Sequence, residues 1–188
     1  MTELRRAHAL LGNPEPRAGR PPGTGAQQIN DALVLRIVTE FQGFVRDLLD
    51  LATSTLVRGS GSLAQHQTRL TSAMSSDRWI DRGNPHLDTV RKDAERLGIA
   101  SLGSQLLARN PTHDSDARLL KELVQLRNAL THGDQDRLRR LAQRGIRPTI
   151  GYVDAAHACL DRYAGALDEI FWDHLIGLFP AVDPWSPS

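Results

Sequence analysis

Two long stretches of helix-period hydrophobicity, one toward each end of the chain, restrict what it can fold into. Between residues 27 and 57, Ile29, Leu33, Ile37, Phe41, Phe44, Leu48, Leu51 and Leu56 recur at helical spacing. About 30 residues at 1.5 Å each make a rod of roughly 45 Å. Leu35, Val38, Val45, Leu49 and Ala52 widen the apolar stripe, so more than one helix must pack against it. From Gly151 to Phe179 the pattern returns in Val153, Ala156, Leu160, Tyr163, Leu167, Ile170, Phe171 and Leu178, and Pro180 stops it. No segment alternates with period two and none repeats. The expected class is therefore all-α, a bundle of four to five main helices.

The stretches between these rods are shorter. Gly59-Ser60-Gly61-Ser62 is a break. A weaker helix follows over residues 63–74, with Leu63, His66 or Gln67, Leu70 and Met74 on one side, and His66 reads as a surface residue rather than a ligand. Residues 75–85 read as a loop anchored by Trp79 and Ile80. Asn84 is the expected cap of a helix over 86–97, with Pro85 at its first position and Gly98 after its end. Residues 99–109 form a short apolar helical segment broken by Asn110-Pro111. Proline and glycine crowd residues 12–25, so residues 1–26 read as a flexible arm, or alternatively as a segment that wraps a partner subunit. Residues 27–179 are the helical domain and 180–188 a tail.

Composition limits the function classes. Hydrophobic content of 40% and charged content of 24% are those of an ordinary globular chain. A net charge of +1 announces no nucleic-acid partner through its global field. Of 23 basic residues only Lys92 and Lys121 are lysine; the arginine excess reflects either coding bias or use of planar phosphate-binding groups. Cys159 is the sole cysteine, so neither an internal disulfide nor a cysteine zinc site can form. No apolar run approaches the roughly 18 residues of a membrane span, and the N-terminus lacks a signal-peptide core. A cytoplasmic protein without membrane contact is expected.

Leu119 to Asp134, LLKELVQLRNALTHGD, carries the chemistry. Leu119, Leu123, Leu126 and Leu130 make one buried stripe, and Gly133 stands where a left-handed C-terminal cap belongs. Arg127, Asn128 and His132 crowd the end of this helix, and Asn128 and His132, four apart, share a face. Asp114 or Ser115 is the expected cap at the other end. A further short helix over 135–144 is closed by Gly145. From Arg137 to Arg147 there are five arginines (137, 139, 140, 144 and 147) and no carboxylate. Arg137, Arg139, Arg140 and Arg144 are either a solvated helix face or a phosphate-binding rim beside His132. The bland alternative for the motif itself is a solvated helix terminus with His132 on the helix dipole. Glu40 and Asp47 read as solvated, the alternative being that one orients an active-site arginine.

Arg127-Asn128-Ala129-Leu130-Thr131-His132 resembles the R-N-x-x-x-H motif of HEPN-domain ribonucleases, and Gly133-Asp134 extends the resemblance to their RiboL-PSP-type branch. The helix around Thr39-Glu40-Phe41-Gln42-Gly43-Phe44 is similar to the first helix of that branch, and the resemblance spans roughly residues 27–179. It implies a HEPN-like bundle and a metal-independent endoribonuclease that needs no cofactor. Cleavage would leave 2′,3′-cyclic phosphate and 5′-hydroxyl ends. His132 would be the acid/base, Arg127 would steady the phosphate, and Asn128 would orient His132 or bind a phosphate oxygen. One His132 fills one proton-transfer role at a time, so a homodimer with a composite active site is expected. A toxin or anti-phage defence role is implied, with an antitoxin or defence-system partner protein. Many related toxins carry an aromatic residue shortly after the histidine; here Gly133 and Asp134 follow. The competing expectation is a non-catalytic helical module that binds a partner protein or RNA.

Overall fold

The computed structural model describes residues 24–185. The expected arm falls mostly outside them, as do residues 186–188 of the tail. Among the described residues the chain is all-α. Its helices are α1 (Thr24–Gly59), α2 (Ala64–Ser75), α3 (Trp79–Arg82), α4 (Leu87–Arg96), α5 (Leu102–Arg109), α6 (His113–Thr131), α7 (Gln135–Gln143) and α8 (Ile150–Leu178). No strand occurs among them. The chain divides into two compact units, and the division falls within the three long helices. The described part of the first unit is 24–40 with Leu119–Cys159. The second is Phe41–Arg118 with 160–185.

In the first unit the core is drawn from Leu33, Val34, Ile37 and Val38 of α1, Leu120, Leu123, Val124 and Leu126 of α6, Leu141 of α7, and Val153 and Ala156 of α8, all buried. These are the positions that a 3.6-residue period places on one side of each helix. Leu119 and Leu130, expected in the α6 stripe, sit at its half-buried edges.

The second unit is built around Phe41, Val45, Leu48 and Leu49 of α1 with Tyr163, Leu167, Ile170 and Phe171 of α8. Two expectations, for Leu51 and Leu178, are corrected here. Leu51 is 43% exposed, because the stripe of α1 runs through Val45, Leu48, Leu49 and Ala52 and leaves Leu51 at its edge. Leu178 is exposed at the last residue of α8. Helix α2 buries none of its residues, and Leu63 and Leu70 are exposed.

Residues 75–85 contain the one-turn helix α3. Its first amide groups are satisfied from α4: Asp93, buried, accepts from Trp79 N at 2.9 Å and Ile80 N at 2.8 Å. Ile80 is fully buried, whereas Trp79 is half-exposed beneath Lys92 Nζ, 4.1 Å from the ring centroid. The position before α4 is held by His86, not Asn84, and the His86 side chain makes no capping bond. Helix α6 begins at His113, ahead of the expected Asp114 or Ser115. Its first turn is secured by a polar cluster around the buried Asn110 and Asp116. Asp116 accepts from Asn110 Nδ2 (3.0 Å), Thr112 Oγ1 (2.9 Å), and Arg162 through Nε (2.8 Å) and Nη2 (2.6 Å). In the tail, Pro184 is buried and its carbonyl accepts from Thr55 Oγ1, while Trp185 packs on Trp172 with ring centroids 5.8 Å apart.

Candidate functional site

The end of α6 is shaped by its backbone. Gly133 takes φ +62°, the left-handed conformation that a side chain resists. With it there, Asp134 N donates to Ala129 O (3.0 Å) and Gly133 N to Leu130 O (3.2 Å). These two bonds are the Schellman pattern that satisfies carbonyls left over at a helix end. His132, whose own amide still reaches Asn128 O at 3.1 Å, is the last residue held by the helix.

Asp134 then serves twice. Its amide closes α6, and its carboxylate Oδ1 accepts from Arg137 N at 2.9 Å, capping α7. Only His132, Gly133 and Asp134 separate the two helices, and these four hydrogen bonds constrain them. The start of the basic helix is therefore tied rigidly to the motif.

The three motif side chains differ in exposure. Arg127 and Asn128 are half-buried and His132 is exposed. Arg127 Nη1 donates to Asn128 Oδ1 at 3.2 Å. Thr131 Oγ1 donates to Arg127 O at 2.9 Å, which ties the last turn together. The His132 imidazole takes part in neither bond. The arrangement therefore supplies a fixed cation beside an oriented amide, with a titratable ring free to reach outward. That set can hold an anion and move a proton, given a second proton carrier.

No protein family, curated protein or solved structure matches the chain.

The four arginines of this stretch, three in α7 and Arg144 directly after it, do not act as one face. At about 100° per residue, Arg137, Arg140 and Arg144 fall within about 60° of one another, beside the buried Leu141. Arg139 points the other way and meets Asp136 at 2.9 Å, both side chains being 73% exposed. Arg144 lies 3.8 Å from Glu122 of α6, a loose pair. Arg137 is half-buried, and Arg140 and Arg144 are exposed. Three arginines thus share one side of this stretch, and the fourth stands apart.

Sequence reasoning passed over two residues of this unit. Glu122 faces Arg144, and Tyr152 at the start of α8 has a buried hydroxyl without a hydrogen-bond partner among the described residues. Burial, then the neighbouring charges of Glu122 and Cys159, raise the Tyr152 phenol far above its usual range, so it stays neutral. A tyrosine at a helical core position carries no sequence sign that its hydroxyl will be stranded. Glu40 pairs with Arg36 at 2.6 Å and Asp47 is exposed, so each sits as a solvated helix residue. Among the described residues no three His, Cys, Asp or Glu side chains converge as a metal ion would require. Nor is any helix among them long and apolar enough to cross a membrane.

Proposed function

We propose that this chain is a HEPN-type, metal-independent endoribonuclease. The observation that carries the reading is the end of α6. There a guanidinium bonded to an amide and an exposed imidazole sit within six residues, locked by Gly133 and Asp134 to a helix with a three-arginine edge. In the reaction the ribose 2′-oxygen attacks the adjacent phosphorus, its proton passes to a base, and the 5′-oxygen leaves with a proton from an acid. The products are a 2′,3′-cyclic phosphate and a 5′-hydroxyl. His132 is the acid/base, Arg127 stabilises the charge that builds on the phosphorane oxygens, and Asn128 orients His132 or binds a phosphate oxygen. Two proton transfers and one His132 per chain favour a two-fold dimer in which two motifs share one site. A toxin or phage-defence role, with a partner protein that restrains the activity, fits a nuclease of this kind.

The test is incubation of the purified protein with labelled RNA in excess EDTA. Cleavage with cyclic-phosphate ends is expected. His132→Ala should lower the rate by about a hundred- to ten-thousand-fold, the usual value of an acid/base group, and Arg127→Ala by a comparable factor. Cleavage that persists without His132, or that needs added divalent metal, would remove the proposal. An intact protein that cuts nothing yet retains a partner on a column is instead a helical binding module.

A further inference from the structure

We infer that Trp79 and Lys92 form a nucleotide platform in the second unit, where the indole stacks on one base of a single RNA strand and the ammonium meets a phosphate of that strand. The inference rests on the ribonuclease reading above for RNA as the source of the base. The ring stands on a backbone held from two sides. Asp93 of α4 accepts from Trp79 N at 2.9 Å and Ile80 N at 2.8 Å. Gln42 of α1 donates to Ile80 O and Gly83 O, both at 3.0 Å, and Arg46 reaches Asp81 at 3.0 Å. Ile80 goes fully into the core, whereas Trp79 beside it is half-exposed. An aromatic side chain on a backbone fixed in this way loses little freedom when a ligand lands on it.

Charge pairing around the ring leaves one cation over. The carboxylates of residues 76–96 each lie within 4.0 Å of an arginine. Lys92 is exposed, and among the described residues its ammonium meets no carboxylate; it lies 4.1 Å from the Trp79 ring centroid. A tryptophan that anchors a protein partner usually sits inside an apron of contacts that excludes water. Here no other large hydrophobic side chain of residues 75–96 is exposed. A lone aromatic ring beside an unmatched cation suits a nucleotide instead, which offers one flat base and one negative charge. Lysine serves that purpose as a point charge on a flexible stem, so it can leave the ring and follow the phosphate.

The test reads binding without cutting. Full-length His132→Ala protein is labelled with fluorotryptophan, so that fluorine NMR shows a signal for each of Trp79, Trp172 and Trp185. Trp79→Phe identifies the first of them. A single-stranded adenine hexaribonucleotide should shift the Trp79 signal, and an abasic strand of the same length and charge should not. Trp79→Ala should weaken hexanucleotide binding by about five- to 150-fold, the value of one base on an aromatic ring. Its half-exposed ring makes this a change the fold tolerates, which circular dichroism checks. Lys92→Gln should flatten the log–log salt dependence of binding by about 0.7, the value for one phosphate on a single strand. A Trp79 signal that ignores the hexanucleotide, or that moves equally with the abasic strand, would overturn the inference. Shielding of Trp79 by a partner protein in place of the oligonucleotide would make the ring a protein anchor and overturn it too. Wild-type cleavage without a Trp79 response removes the platform alone. A Trp79 response in a chain whose wild-type form cuts no RNA removes the ribonuclease reading and keeps the platform.

Discussion

The same substitution, glycine to alanine, should act in opposite directions at Gly133 and Gly43. At Gly133 the backbone sits at φ +62°, and a Cβ built there meets no atom within 4 Å. The cost is therefore conformational, not steric. A non-glycine residue in the left-handed region loses roughly 1–2 kcal/mol, offset by the smaller entropy that alanine loses on folding, about 0.5–1 kcal/mol. A net loss of about 1 kcal/mol follows, which in a chain of this size lowers the unfolding temperature by about 2–4 °C. Gly43 lies in the interior of α1 without a positive φ, and a Cβ there also meets nothing within 4 Å. Alanine removes its helix penalty, a gain of roughly 0.5–1 kcal/mol. Differential scanning calorimetry of the two variants against wild type gives the comparison. Gly133→Asn should fall between Gly133→Ala and wild type, since asparagine tolerates the left-handed cap. Cleavage by Gly133→Ala should drop more than its stability explains, because relaxing the cap moves His132 and the start of α7 together. If Gly133→Ala unfolds at the wild-type temperature and cleaves RNA normally, the cap does not hold the motif in place.

Other outcomes follow from named contacts. Hydrogen bonds from Arg162 hold the Asp116 carboxyl down at about 2, with Asn110 and Thr112 assisting against the cost of burial. Because the folded value is depressed, its stabilisation is present above the unfolded pKa near 4 and is lost as pH falls toward 2. Converted at about 1.4 kcal/mol per tenfold change, it amounts to about 2 kcal/mol at neutral pH. Asp116→Asn should therefore show a flatter loss of stability between pH 4 and 2 in acid titrations followed by circular dichroism; an unchanged acid slope would contradict the ion pair. Replacing Arg137, Arg140 and Arg144 one at a time should each flatten the salt dependence of RNA binding by about 0.7 in log–log slope, the value for one phosphate on a single strand. Arg139→Ala should leave that slope alone, and equal effects at all four would reject the three-arginine edge. The proposed composite site requires a dimer at micromolar protein in sedimentation, and mixed dimers of wild type with His132→Ala should be badly impaired; full activity in the mixed species would place a whole site in one chain.

The long helices were legible because their signal is local and repeated. Periodicity over residues 27–57 and 151–179 matches α1 and α8 to within three residues at each end. What periodicity cannot say is whether anything covers the apolar side it identifies. Leu63, directly before α2, and Leu70 within it fall on one side and face water all the same. The turn of helix at Trp79–Arg82 was missed for a related reason. Its stability comes from the Asp93 carboxylate, 14 and 13 residues away, and from the burial of Ile80, and no local cap announces it. Pro85 and Asn84 look like a helix start, yet the chain places His86 at the junction. Local cap preferences are worth about 1 kcal/mol and yield to tertiary packing.

At the candidate site the division is sharper. Gly133 was readable because only glycine enters the left-handed region without cost, so a glycine directly after a helical pattern marks its end. The double use of Asp134 was half readable: an aspartate before a helix suits an N-cap, but its amide closing the preceding helix depends on how Gly133 turns the chain. The arginine run of α7 looked uniform in one dimension and separates only when wound, since Arg139 and Arg140 are neighbours in the chain yet lie about 100° apart on the helix. Asn128 shows most directly why a site cannot be read from spacing alone. A four-residue interval says which side chains are able to meet; a donor-only guanidinium next to the amide decides which of them does.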